Sequence, residues 1–550
     1  LTNTSGRVLK PVVNFPLLRN VRLGTVDDTW YLMTRKGGII SNRPTHQRHA
    51  YGGQHPLQTD DIFSGVDGSD LAICTYDKDD LYRFYDLTKD EHGVTYRIEY
   101  WQQEVQPGAS IPTAQTALRA HKGDWRGALA QYKQWAHSWY KPQAPRKTWF
   151  QNVFYYQQST AWGGLRDQAS GKWQMDEFIK ECKDNLGCLD YLHIFDFGES
   201  RVYGRVGDYN HYDELGGLPA MRAAIKSAQD QGVRMGLYIE GYLCDERGVW
   251  GKANCSQYDL RQQDGKPVLW GGNSPEHMMC PASDGWRNHL AETYQRVAGE
   301  LKPDGMYIDQ YGFLDTWKTC WSREHGHPVP MAPIRGEGGT TQAIRQALPD
   351  AVANLTEETP NDVHAQYQDG ALGYSVTFSD PALMPHRVDL FRFMFPDFKV
   401  LQLTSYNNFA EGGWDLLKFP FFNGEGWWLG GDPASAYCPD AKAFLRKAFA
   451  ILHQYSAAFT SQEVSPLVPT LWSTVYANEF RGPKVTAWTI FNAEYRTFRG
   501  DLLKVPHKPG AVYREAFTGK EIKARIEQGQ AVLAVTVGPR DVGCVVMETK

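Results

Sequence analysis

Apolar residues follow three successive patterns along the chain. From Leu1 to about Ala120 they come in short alternating runs broken by Gly, Pro and Asp, as in Thr29-Trp-Tyr-Leu-Met-Thr34 and Thr95-Tyr-Arg-Ile-Glu-Tyr-Trp101. That spacing predicts an antiparallel β-sandwich over residues 1–122, not βαβ units. Residues 123–145 open on Asp124 and then place apolar side chains at helical intervals, which predicts a linker helix. Residues 146–460 alternate short apolar runs with helical stretches. The candidate strands are Phe150–Tyr156, Leu189–Asp196, Val233–Glu240, Gly305–Asp309 and Ala351–Glu357, with weaker ones at Gly370–Tyr374, Lys399–Thr404 and Phe419–Asn423. Helices are predicted between them, including Trp286–Glu300 and Thr340–Leu348. Repeated βα units over roughly 300 residues predict a (β/α)8 barrel. Residues 461–550 return to alternation, as in Lys484–Phe491 and Ala531–Val537, and predict a second antiparallel β-sandwich. The expected fold class is α/β, a central barrel flanked by two sandwiches.

Composition narrows the function. With 58 basic and 63 acidic residues, net charge −5 and no basic block interleaved with aromatics, the chain lacks the footprint of a nucleic-acid partner. No run of 18 apolar residues suggests a membrane span. The 18 Trp and 29 Tyr suit a carbohydrate partner, because the apolar face of a pyranose stacks on aromatic rings. Nine cysteines without a CxxC pair do not make a disulfide scaffold; Cys244 with Cys255, or Cys182 with Cys188, are the pairs an oxidising compartment would allow. The first residue is Leu1, no export signal is visible, and a periplasmic or secreted bacterial location is the expectation.

Several predicted strands end in a carboxylate: Asp196 with Glu199, Glu240 with Asp245, Asp309, and Glu357 with Glu358. In a barrel all strand C-termini open on one face, so these acids are expected to converge. Asp309 closes the short apolar strand Gly305-Met-Tyr-Ile-Asp309, where a nucleophilic carboxylate would be held fixed. Glu357, on the next strand, is the candidate general acid/base, with Glu358 as the alternative. Two carboxylates on adjacent strand ends suit the roughly 5–5.5 Å separation of retaining glycoside hydrolysis. Around them, Asp196, Glu199, Glu240, Tyr242, Tyr311, Trp317, His325, His327 and Glu358 are expected to line a sugar-binding bowl.

Cys320, His325 and His327 are also plausible zinc ligands, but their spacing matches no familiar zinc pattern. The histidines are assigned instead to sugar hydroxyls, and no metal or cofactor is expected. No G-x-S-x-G elbow, P-loop or H-E-x-x-H motif occurs.

On Met279-Cys-Pro-Ala-Ser-Asp-Gly-Trp286, Asp304-Gly-Met-Tyr-Ile-Asp-Gln310, His325-Gly-His-Pro328, Thr356-Glu-Glu358, Asp369-Gly370 and Phe422-Asn-Gly424, the chain resembles the domain of unknown function 6259 family. These are bacterial multidomain proteins resembling glycoside hydrolases. More distantly, an Asp on strand four with a Glu on strand five looks like glycoside hydrolase family 101, the endo-α-N-acetylgalactosaminidases, and the α-amylase superfamily. The resemblance implies retaining action at an α-linked galactoside, N-acetylgalactosaminide or glucoside. Tyr307 stands where the α-amylase superfamily has Arg. Relatives of the α-galactosidases carry their acid on strand six, which would promote Asp369 or Asp380. An inverting glycosidase, a transglycosylase and a non-catalytic glycan-binding protein are the competing readings.

Overall fold

The structure, a computed structural model, describes the chain apart from residues 196, 198–205, 210–211, 273, 375–386, 405–413, 432–436 and 550. Near the N-terminus two antiparallel sheets face each other. One has four strands in the order Val13–Val21, Gly93–Tyr100, Arg83–Asp90, Thr45–Ala50; the other has five, in the order Ile39–Ser41, Thr29–Met33, Thr59–Ser64, Ser69–Tyr76, Gln115–Lys122. Alternate side chains point inward, and Tyr31, Ile62, Ile73, Tyr85, Tyr96 and Ile98 fill the space between the sheets. A helix, Trp125–Trp139, follows; the Asp124 side chain caps it by accepting the Arg126 amide at 2.9 Å.

Eight parallel strands then close a barrel: Tyr155–Ser159, Tyr191–Ile194, Arg234–Glu240, Gly305–Asp309, Ala353–Thr356, Gly370–Gly373, Lys399–Leu403 and Gly426–Gly430, called barrel strands one to eight below. The ring closes where Tyr155 pairs with Trp427. Its interior is filled by rings: Tyr156 stacks on Tyr191 at 4.7 Å, and His193 packs edge-on against Tyr307 at 5.3 Å.

Two predicted strands differ. Strand one begins at Tyr155, because Thr148–Gln151 forms a helical turn. Phe419–Asn423 is not a strand, since Trp414–Phe422 is a helix, and strand eight is the next apolar run, Gly426–Gly430. Short apolar runs carry too few residues to separate periods of 2 and 3.6.

Two further antiparallel sheets follow, five strands from Glu463–Val468 onward and three strands centred on Gln530–Val537. All nine cysteines are free thiols, and the two pairs anticipated above are unlinked. Among the described residues, no helix is long and apolar enough to cross a membrane.

The N-terminal sheets are tied into the barrel by buried polar contacts. On the loop after strand five, Asp362 accepts hydrogen bonds from Tyr51 (2.5 Å), Tyr132 (2.6 Å) and Gln58 (2.9 Å). Lys36, itself buried, reaches Glu358 at 3.5 Å and donates to the Gly312 carbonyl at 3.2 Å. Gly312 has φ +89°, and a Cβ there would lie 2.3 Å from the Glu358 carbonyl oxygen, so only glycine allows this approach.

Candidate active site

Strands three and four end in the same three-residue pattern, Tyr238-Ile-Glu240 and Tyr307-Ile-Asp309, and pair in register, Tyr238 beside Tyr307 and Glu240 beside Asp309. With side chains alternating along a strand, each tyrosine shares a face with the acid two residues on. The result is a hydroxyl layer beneath a carboxylate layer. Tyr307 Oη donates to Asp309 Oδ1 at 2.7 Å. Tyr238 Oη lies 2.8 Å from Asp309 Oδ2 and 2.9 Å from Glu240 Oε2.

One hydroxyl carries one proton and cannot donate to both carboxylates. Burial, then the Asp309 charge, pushes Glu240 up to about 8. Glu240 is therefore protonated at neutral pH and donates to Tyr238, which donates to Asp309. The other Glu240 oxygen, Oε1, accepts the Tyr242 amide at 2.9 Å.

Glu357 directly follows strand five. Its Oε2 accepts the amide of Gln310, the residue after Asp309, at 2.7 Å, and its Oε1 accepts from Tyr374 Oη at 3.0 Å. The Gln310 amide reaches it because Gln310 takes the left-handed backbone conformation, φ +62°, uncommon for a residue with a side chain. Lys318 Nζ donates to the Gln310 carbonyl at 2.7 Å and braces that turn. Burial, reinforced by the Asp309 charge, holds Glu357 well above the usual carboxylate range. Asp309 keeps 7% of its surface exposed, while Glu240 keeps none. Among the described residues, no lysine or arginine forms an ion pair with any of these three acids.

The structure thus brings together Glu240, Asp309 and Glu357, and distributes the other expected residues elsewhere. Asp196, Glu199 and Asp380 lie outside the described residues. Glu358 turns away from Glu357 into the Lys36 ion pair, accepting also the Thr359 amide at 2.8 Å and the Tyr374 amide at 3.1 Å. Tyr242 is buried and donates to Glu337 at 2.6 Å; Tyr311 packs on it, centroids 5.0 Å apart. Both belong to the packing of strands three and four against the helix Pro333–Ala347. Trp317 is 51% exposed, on the helical turn Thr316–Lys318. His325 and His327 lie not in the acid cluster but beside Cys280 and Cys320.

Asp369 precedes strand six, at the opposite end of the barrel from Asp309. It is held by Lys147 at 2.9 Å, Arg345 at 3.5 Å and Arg146 at 3.8 Å. That ion cluster corrects the strand-six option at Asp369, which cannot reach the open face. Sequence reasoning missed the roles of Tyr238, Tyr307 and Tyr374. The repeated Tyr-x-acid spacing at two strand ends was the available signal for the first two; nothing local marks Tyr374.

The chain thus folds as an eight-stranded parallel barrel with three carboxylates gathered at the C-terminal ends of strands three, four and five. The pattern of the family described as domain of unknown function (DUF6259) matches residues 111–343, and the chain resembles that family. A putative glycoside hydrolase of Bacteroides thetaiotaomicron is 28% identical over 170 residues, 30% of this chain and 24% of the relative, so the match spans about a quarter of that protein's length. Among solved structures, a ligand-free α-N-acetylgalactosaminidase from Bifidobacterium bifidum superposes with TM-score 0.66 at 15% identity, covering 86% of this chain and 82% of that one. A GH36 α-galactosidase from Geobacillus stearothermophilus, in complex with 1-deoxygalactonojirimycin, gives 0.62 at 12% identity, covering 99% and 78%. At these identities the likeness is one of fold.

Proposed function

We propose that the chain is a retaining glycoside hydrolase acting on α-linked sugars, with Asp309 as nucleophile and Glu357 as general acid/base. The observation that carries this reading is the asymmetry of the pair. Asp309, buried, receives two phenolic hydroxyls, whereas Glu357, half-buried beside it, accepts one amide and one phenol and is held well above the usual carboxylate range by desolvation and the Asp309 charge. Asp309 attacks C1 from the β face while Glu357 gives its proton to the departing glycosidic oxygen, leaving a β-linked glycosyl ester on Asp309. The Glu357 carboxylate then takes a proton from water, whose oxygen attacks C1 and releases Asp309 and an α-configured sugar. The names of the similar structures favour α-galactosides and α-N-acetylgalactosaminides over α-glucosides.

The test starts with aryl α-glycosides of these three sugars, following the first-formed anomer by NMR. Azide then assigns the roles. Asp309→Gly should yield a β-glycosyl azide and Glu357→Ala an α-glycosyl azide, because azide enters from the side each carboxylate vacates. A β-configured first product overturns retention. Wild-type turnover in Glu357→Ala, together with an α-azide from Asp380→Ala, moves the acid/base role to strand six.

A further inference from the structure

Two loops of the barrel meet at four side chains whose chemistry the hydrolytic reading does not use. Cys280 lies just after the antiparallel pair of short strands Leu243–Asp245 and Glu276–Met278 and before the helix Asp284–Leu301. Cys320, His325 and His327 lie in the loop between strand four and the helix Pro333–Ala347. The geometry points to a structural zinc site formed by Cys280 Sγ, Cys320 Sγ, His325 Nδ1 and His327 Nε2, fastening the loop after strand four to the loop after strand three.

One potential ligand atom from each of the four residues lies within 4.8 Å of the others. Tetrahedral zinc with bonds of about 2.0–2.3 Å places its ligands roughly 3.3–3.8 Å apart. Cys320 Sγ and His325 Nδ1 already stand at 3.5 Å, so closing the set takes shifts of an ångström or less. The second nitrogen of each ring is engaged: His325 Nε2 with the Gln257 carbonyl at 3.0 Å, His327 Nδ1 with the Pro328 carbonyl at 3.0 Å. Donating there, each imidazole directs a lone pair at the thiols, the tautomer in which metal-bound histidines are held. His327 Nε2 is buried without a hydrogen-bond partner, an orphan that a metal would satisfy. The Ser322 N–H points to Cys320 Sγ at 3.5 Å, a donor that suits a thiolate there.

Two thiolates and two imidazoles in a closed set favour zinc over the oxygen-seeking cations. Both sulfurs are buried, so neither serves as a nucleophile toward a sugar. A Cys280–Cys320 disulfide would leave the two imidazole lone pairs unused. The spacing hid the site because its first ligand comes 40 residues before the second, from another loop.

The fastening bears on the active site through its own loop. That loop carries Gln310 and Lys318, which hold Glu357, and it meets the N-terminal sheets where Arg323 pairs with Glu104 at 3.0 Å. The experiment is metal analysis of the untagged full chain, expressed with added zinc and dialysed against metal-free buffer. We expect about one zinc per chain, lost in C280S and C320S and retained in C438S, whose thiol is exposed and distant in sequence. Exchange of cobalt into the wild-type protein should give the visible bands and thiolate charge-transfer absorption of a tetrahedral S2N2 site, a readout that does not depend on the variants folding. The site is overturned by a wild-type chain that retains less than about a tenth of an equivalent. It is overturned equally by zinc content unchanged in C280S and C320S, or by a Cys280–Cys320 disulfide in the non-reduced peptide map.

Discussion

The two ends of the barrel bury carboxylates in opposite ways. At the closed end Asp369 sits among Lys147, Arg345 and Arg146 and accepts the Asn354 amide at 2.9 Å, so its charge is matched by nearby cations. At the open end Glu240, Asp309 and Glu357 crowd together with hydroxyls and amides but, among the described residues, no cation at ion-pair distance. Matched burial holds a fold together. Unmatched crowding of three carboxylates, two of them buried and one half-buried, is tolerable only if some of them keep protons, and a site poised that way has proton chemistry to offer. The same residue type therefore serves stability at one end and reactivity at the other.

The sharpest way to break this comparison is to neutralise one acid at each end. Asp309→Asn should lower kcat/KM on the active α-glycoside by about four orders of magnitude or more while leaving Tm within a degree or two, since amide and carboxylate are nearly isosteric. Asp369→Asn leaves buried cations without their counter-charge and should destabilise by about 3–5 kcal/mol, with the surviving folded fraction keeping its kcat. Chemical denaturation and initial rates on both variants decide it. If Asp369→Asn loses activity per folded molecule while Asp309→Asn loses stability, the division between the two ends is wrong.

A finer probe is Tyr374→Phe. Its hydroxyl bonds Glu357 and opposes the upward shift that burial and the Asp309 charge impose. Removing it should raise the Glu357 pKa further. If Glu357 must be protonated to act, the basic limb of the kcat/KM profile moves to higher pH in this variant, with a drop of about tenfold at the optimum for the lost hydrogen bond. A limb that stays in place would show that it reports another group, such as Asp380.

How far this was legible beforehand follows from the range of each interaction. The barrel was readable because each βα unit repeats a local pattern, and Asp309 because a carboxylate after Met-Tyr-Ile has no role in strand stability. The eighth strand was assigned one apolar run too early, since Phe419–Phe422 and Gly426–Gly430 are both short apolar runs. Glu357 and Glu358 could be separated only by seeing Lys36, more than 300 residues earlier, arrive at one of them. Tyr242, Tyr311, His325 and His327 sit at loop positions compatible with the bowl. They are drawn away by Glu337 and by the cysteines, partners that lie in other loops and elements.

The smallest effect tests the relay itself. With Glu240 protonated, the chain of donors runs from Glu240 to Tyr238 to Asp309, and Glu240 Oε1 accepts from Tyr242. Glutamine reproduces every one of these bonds, its amide donating to Tyr238 and its carbonyl accepting from Tyr242, so Glu240→Gln should keep kcat/KM within about threefold at neutral pH. Glu240→Ala, which leaves Tyr238 without its donor, should lose about ten- to a hundredfold. The pH dependence of stability separates the two states of the wild-type side chain. Because the folded protein raises Glu240 from 4.5 to about 8, it binds that proton more tightly than the unfolded chain does. This contribution is fully present below about 4.5 and is lost as pH climbs to about 8. Glutamine has no proton to lose, so the Glu240→Gln variant should show a flatter fall of stability across that window than the wild type. The measurement is denaturant unfolding at closely spaced pH values for the two proteins. Parallel curves would mean that Glu240 is already ionised in the folded protein, and Tyr238 would then have to donate to only one of its two carboxylates.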